Sequence, residues 1–245
     1  MATLLLRLAA PLQAWGADSK FETRKTNREP TKSGVLGMLA AALGIRRDQT
    51  EELEKLKSLH FGVRVEREGS LLVDFHTAKA PKKSKSYTTE FIAWIELALA
   101  KAPEENISYI TYRHYLQDAV FLVGLESKDE AYLHLLEDAL SHPAFPLYLG
   151  RRSCPPTLPL CLGIRESDLK EALLKEPDLC GKQEKQKRIV MDALPGERNI
   201  ALQRDIPISF DPRHRQYADR AVQEFTSHEN PETWITTEHD PFDEL

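Results

Sequence analysis

The sequence predicts an α+β fold: a ferredoxin-like (RRM-type) β-α-β-β-α-β domain with a long insertion, followed by a smaller β-rich C-terminal region. Three observations carry this. Runs of strand period and helix period succeed one another in the order of two β-α-β units. At 245 residues and 41% hydrophobic content, the chain is long enough to bury a proper core. Fifteen prolines against eleven glycines suit a fold with many loops and strand ends.

Each element follows from a local pattern. The run TLLLRLAAPLQ reads as a strand buried on both faces that stops at Pro11. A helix is expected over residues 33–44, where Val35, Leu36, Leu39, Leu43 and Ile45 supply an apolar face. Thr31 or Ser33 can cap its start, and Gly44 sits near its end. In HFGVRVERE (60–68), Phe61, Val63 and Val65 alternate with Arg64 and Glu66, the pattern of a half-buried strand. LLVDFHT, after the Gly69-Ser70 turn, completes a hairpin with it, and LQDAVFLVGLE (116–126) reads as a central strand. SKDEAYLHLLEDALSHP is an amphipathic helix, with Ser127 and Glu130 as a capping box and Pro143 beyond its end. PLYLGRR gives the last strand of the second unit.

Between His76 and Tyr115 lies a long insertion, lysine-rich at first and then helical in TTEFIAWIELALAKAP, which carries Phe91, Trp94, Ile95 and Leu99. After Arg152 come a helix near 167–176, an exposed basic run GKQEKQKR, and the strand-like RIVMDAL and DIPISFD. The expected organisation is an RRM-like domain over 1–153 with its insertion at about 78–114, a C-terminal β-rich region over 154–226, and an acidic, disordered tail over 227–245.

Composition narrows function. Cys154, Cys161 and Cys180 are odd in number and lack CxxC spacing, so they read as reduced thiols rather than a disulfide frame or zinc site. No signal peptide precedes TLLLRL, and no apolar run approaches the roughly twenty residues of a membrane helix. A cytoplasmic protein with no membrane contact is expected. The net charge of −5 argues against nucleic acid only superficially. Seven acids lie between Glu224 and the end with no lysine or arginine among them, and setting them aside turns −5 into +2. The cations then cluster: Lys20, Arg24, Lys25, Arg28 and Lys32; Lys79, Lys82, Lys83 and Lys85; Arg151 and Arg152. Each cluster alone reads as a solvated loop; together they point to a polyanion. Lys32-Ser33 looks like the end of a nucleotide-binding P-loop, but that motif requires glycine where Thr26 stands. What remains is a helix N-terminus able to hold a single phosphate of a polymer.

The blocks LRLAAPLQAWG, PTKSGVLGMLAAALGI, DFHT, YRHYLQDA, PLYLGRRSCPP and PISFDPRHRQYADRAV stand in this order between Leu4 and Val222. Together they closely resemble the CasD family, the Cas subunit of type I-E CRISPR effector complexes (Cascade) that holds the 5′ handle of the guide RNA (crRNA). The resemblance implies an RRM-like domain with a protruding thumb hairpin after His76 and a place at one end of the assembly. It further implies contacts with the backbone subunit CasC and the large subunit CasA. It implies a binder without cofactor or metal rather than an enzyme, because a separate subunit, CasE, cuts the guide. One segment departs from the family's pattern: EFIAWIELALAKAPEENISYI is longer and more apolar than expected at the thumb.

Gripping a handle requires cations for phosphates, flat side chains for splayed bases, and amides or hydroxyls for base edges. On this reading the candidate RNA contacts are Gln13, Trp15, Arg24, Lys25, Arg28, Lys32, Ser33, His76, Arg113, Arg151 and Arg152. Trp15 offers a ring for stacking, or equally a core tryptophan beneath the first helix. Lys32 and Ser33 would hold one phosphate at the helix mouth. Arg151 and Arg152 present planar forks suited to phosphate or a guanine edge, or a surface salt bridge. The alternative is a metal-independent endoribonuclease processing CRISPR repeat RNA, as in type I-C relatives. There His76 or His114, Tyr112 and a thumb lysine would supply base, acid and cation.

Overall fold

The computed structural model describes residues 1–16, 22–47, 49–79, 108–181, 186–194, 196–197, 200–210 and 216–227. The sequence-predicted helix of the insertion, Lys20, Lys82, Lys83, Lys85 and the acidic tail lie outside the described residues. The chain opens with β1 (Ala2–Ala9) and four two-residue strands, β2 (Leu12–Gln13), β3 (Trp15–Gly16), β4 (Thr23–Arg24) and β5 (Thr26–Asn27). Then come α1 (Lys32–Leu43), α2 (Thr50–Lys57), β6 (His60–Arg67), β7 (Ser70–Lys79), β8 (Ser108–Gln117), β9 (Val120–Ser127) and α3 (Glu130–Ser141). The C-terminal part adds β10 (Cys161–Arg165), α4 (Leu169–Lys175), β11 (Arg188–Asp192), β12 (Ile200–Ser209) and β13 (Gln216–Thr226).

The fold is α+β, with a seven-stranded sheet in the order β10-β1-β9-β6-β11-β13-β12. Every neighbouring pair in it is antiparallel. β1, α1 and β6 form one β-α-β unit and β9, α3 and β10 the other; their strands interleave, with β9 between β1 and β6. The strands after residue 154 therefore join the same sheet at both of its edges rather than pairing only among themselves.

Several local expectations shift, each for a physical reason. The helix at 33–44 forms as Lys32–Leu43, capped by the Thr31 hydroxyl, which accepts from the Gly34 N–H. The capping box at Ser127 does not form: Asp129 caps α3 by accepting from the Tyr132 N–H, and Ser127 accepts from the Asp129 N–H. PLYLGRR is not a strand, and β10 takes the edge position beside β1 instead. The apparent strand 116–126 is broken at Asp118, which has φ 56° and divides β8 from β9. β7 does not hairpin with β6, because both edges of β6 are taken by β9 and β11; it pairs along its whole length with β8. α2 went unread in the sequence.

The sheet is covered on two faces. Leu4, Leu6, Leu8, Phe61, Val63, Val65, Phe121 and Val123 pack under α1, α2 and α3. On the other side Leu5, Leu122, Ile189 and Met191 pack against Leu169, Ala172 and Leu173 of α4. Alternation in β6 thus predicted the first face and misread the second. Arg64 and Glu66 are both buried, joined at 2.6 Å. Arg64 also donates to the carbonyls of Glu176 (2.7 Å) and Pro177 (3.0 Å), satisfying groups just past the end of α4. Gly62 and Gly124 sit opposite one another across β6 and β9, and the leucines of α4 fill the space above them. A Cβ on Gly124 would meet Leu169 Cδ1 at 2.5 Å. Gly124→Val is accordingly expected to lower the unfolding free energy by ~1–3 kcal/mol, read as a shifted urea midpoint at unchanged slope.

Candidate nucleic-acid interface

Because α4 occupies the centre of the second face, the sheet does not present the broad open surface on which RRM modules lay single-stranded RNA. The concave surface lies elsewhere. A groove of about 1950 Å³ runs between the exposed side of α1, the loop around Tyr148–Arg152 and the β12–β13 hairpin. Among the described residues its lining includes seven cations, Arg24, Lys25, Arg46, Arg47, Arg151, Arg152 and Arg204, and no carboxylate. Tyr148 and Tyr217 add flat side chains, and Gly34, Gly37 and Ala41 leave the α1 floor without bulk. A surface of one charge sign with low-dielectric walls concentrates a polyanion.

The loop that carries Arg151 and Arg152 is fixed from below. The Ala14 N–H donates to the Leu149 carbonyl (3.1 Å) and the Leu149 N–H to the Cys154 carbonyl (2.8 Å). Gly150 has φ 84°, and a Cβ there would fall 1.6 Å from the Ala14 carbonyl oxygen. Only glycine fits, which explains the glycine ahead of the arginine pair. Arg151 donates to the Arg24 carbonyl (3.0 Å), and its guanidinium lies 4.6 Å over the Tyr115 ring. Gly150→Ala is expected to cost ~2–4 kcal/mol and to displace both arginines, measured by thermal unfolding.

Three sequence-predicted contacts turn out to be structural. Trp15 is fully buried beneath α1, where a Cβ on Gly34 would approach its ring to 3.0 Å. Gln13 is fully buried as well; its amide donates to the Leu8 and Ala119 carbonyls and accepts from the Trp15 indole N–H. Neither offers a face to a base. Lys32 is buried, and its ammonium pairs with Asp192 at 2.9 Å. Its backbone N–H donates to Asp205 at 2.8 Å. The anion at the mouth of α1 is thus a carboxylate of this same chain. A positive helix end attracts the nearest available anion, and β12 delivers one through the fold.

That carboxylate belongs to a buried cluster. Arg220 reaches Asp205 twice at 2.8 Å and Asp192 at 2.6 Å, and Asp192 also accepts from the Phe61 N–H. Two cations meet two carboxylates, tying β6, β11, β12 and β13 to the start of α1. Burial alone would lower the Arg220 pKa; the hydrogen bonds and charges of Asp205 and Asp192 outweigh it and raise it.

Of the remaining candidates, Arg24, Lys25, Ser33, Arg151 and Arg152 line the groove, and Arg28 is exposed just outside it. Sequence reading missed Arg46, Arg47 and Arg204. The signal for the first two was present: LGIRR after α1 has the same leucine-glycine-arginine pattern as LGRR at 149–152. His76 and Arg113 lie apart, on the β7–β8 arm. Register pairs Asp74 with Arg113 and His76 with Thr111, whereas Phe75 faces Tyr112 and Val73 faces His114. Directly opposed residues share a face, as do alternate residues of one strand, whereas successive ones do not. His76 is therefore on the opposite face from Tyr112, which shares its face with His114; the set built on His76 is not gathered, and the thumb lysines Lys82, Lys83 and Lys85 lie outside the described residues. The second face of the arm is apolar: Leu71, Val73, Phe75, Ile110 and Tyr112 are each 44–55% exposed.

Among the described residues no helix is long and apolar enough to cross a membrane. No cluster of three or more histidines, cysteines or carboxylates suited to a metal ion occurs among them either.

Comparison with known proteins agrees with this architecture. Over 175 residues the chain is 42% identical to the CRISPR system Cascade subunit CasD of Escherichia coli (strain K12), covering 70% of this chain and 75% of that protein. A chain of a solved CRISPR RNA-guided surveillance complex superposes with a TM-score of 0.73 at 35% identity, covering 91% of this chain and 89% of the other. A crystal structure of a Cas protein superposes with a TM-score of 0.64 at 36% identity, covering 91% and 94%. Residues 3–223 match the CRISPR-associated protein (Cas_Cas5) family, and the chain belongs to that family.

Proposed function

We propose that this chain is a non-catalytic, crRNA-binding subunit of a type I-E CRISPR surveillance complex in the cytoplasm. It caps the 5′ handle of the guide and joins the CasC backbone subunit to the CasA large subunit. The observation that carries this reading is the groove, lined among the described residues by seven cations and no carboxylate, on a Cas_Cas5 chain. Phosphates lie along Arg24, Lys25, Arg46, Arg47, Arg151, Arg152 and Arg204, with Arg28 and Ser33 at the margins, and bases stack on Tyr148 and Tyr217. The exposed apolar face of the β7–β8 arm supports contact with a neighbouring subunit, since a patch of this kind seldom faces water without a partner. The interleaved strand order supports a ferredoxin-like domain over about 1–153, which the strands of 154–226 extend.

The endoribonuclease reading is not favoured, because the relatives this chain matches are a Cascade subunit and a chain of an RNA-guided surveillance complex, and His76 lies on the opposite face of the arm from Tyr112. The test is a photocrosslinking map of the complex assembled on crRNA bearing 4-thiouridine. Crosslinks from the 5′ handle to peptides around Arg46 and Arg151 are expected. Crosslinks from this chain to the spacer or the 3′ end alone overturn the reading.

A further inference from the structure

A second cavity, of about 300 Å³, opens where the polar face of the β7–β8 arm meets the body of the protein. Leu12, Leu72 and Tyr115 wall it, and Asp74, His76 and Arg113 stand among them. Its size is at the small end of ligand sites and has room for one base, not for a stack. The groove described above adopts none of these residues.

Three features of the cavity concern what it holds. Asp74 and Arg113 are opposed in register, yet no ion pair joins them among the described residues. His76 Nε2 instead binds Asp74 Oδ2 at 2.5 Å, fixing the carboxylate's orientation and leaving Oδ1 for another donor. The Arg113 Nε–H is buried with no acceptor among the described residues. A buried donor without an acceptor is costly, and a ligand that supplies one explains its place in a cavity wall. The cavity also adjoins the groove: Arg151 lies in the groove lining and stacks on Tyr115, which walls the cavity. Arg151 thus joins the groove's row of cations to the cavity wall.

We infer that this cavity takes one unstacked, amino-bearing nucleobase (adenine, cytosine or guanine) of the guide's 5′ handle. The apolar walls hold its faces, the Asp74 carboxylate accepts from its amino group, and the Arg113 guanidinium donates to its ring nitrogen or carbonyl. His76 is a positioning residue that orients Asp74. Uracil is rejected, because its one edge N–H is flanked by two carbonyl oxygens that face the carboxylate unfavourably. This inference rests on the guide-RNA reading above and names the part of the handle that is read rather than merely held.

The test uses the whole complex assembled on guides whose handle nucleotides are replaced one at a time by uridine or an abasic residue. With the wild-type chain, one position is expected to lose roughly tenfold in handle affinity on either replacement, a bidentate or stacking contact being of that size. With Asp74→Asn, whose amide can donate to a uracil carbonyl, the uridine penalty at that same position is expected to shrink. With Arg113→Ala the native base and the abasic residue become equal there. His76→Gln, which keeps a donor for Asp74, retains the position dependence. A role confined to stability moves all positions alike. If Asp74→Asn and Arg113→Ala weaken every position equally or none, while Arg46→Ala/Arg47→Ala still lowers affinity, this inference fails and the groove reading stands. If the groove variant also leaves affinity unchanged, the guide-RNA reading itself fails.

Discussion

Changing Arg24, Arg46, Arg47 and Arg152 together to alanine is expected to weaken binding of the crRNA 5′ handle by roughly a hundredfold at about 0.15 M salt. Each phosphate contact on a single strand adds ~0.7 to the slope of log affinity against log salt, so four contacts lower that slope by roughly 3. At that ionic strength the lost counterion release amounts to roughly two decades. All four side chains are exposed groove cations. The melting temperature should therefore stay within a degree or two, as expected of exposed residues outside packed or paired sites. The measurement is a salt titration of handle affinity. An unchanged slope removes these arginines from the interface.

The second large effect is on the fold. Arg220→Ala should cost ~3–5 kcal/mol of unfolding free energy, because it leaves Asp192 and Asp205 buried with Lys32 as their remaining side-chain cation among the described residues. The net upward shift of the Arg220 pKa keeps the cation charged, and this contribution present, throughout the neutral range. Urea denaturation gives the number. A loss below ~1 kcal/mol would mean that the cluster is dispensable. The same variant should loosen the groove, since Asp205 and Gln203 hold β12 to Arg220 of β13, and the hairpin forms one groove wall. An added Asp205→Asn change should recover part of the stability, by removing the carboxylate left without a cation, Asp192 keeping Lys32.

The fate of Lys32 shows where sequence reading stops. Its place at the first turn of a capped helix was legible, and so was the attraction of that end for an anion. Which anion arrives depends on Asp205, 173 residues further on. The same holds for Arg64 and Glu66. Period-two alternation fixed the face that Phe61, Val63 and Val65 turn inward, but says nothing of a helix arriving on the other side. Trp15 was open between stacking on a base and packing in the core, and only the position of α1 over its ring decides.

Local pattern by itself determined α1 with its Thr31 cap, the apolar strands β1, β6 and β9, the helix after β9, the basic pair behind Gly150, and through the ordered blocks the family. These depend on spacing along the chain, which a sequence carries directly. Tertiary structure alone decided that β7 leaves β6 for β8, that β10 rather than PLYLGRR completes the second unit, that α4 covers the sheet's second face, and that the cations meet in a groove beside α1. Those outcomes turn on strand edges already occupied, buried charges needing partners, and surfaces brought together across more than a hundred residues, which neither periodicity nor composition records.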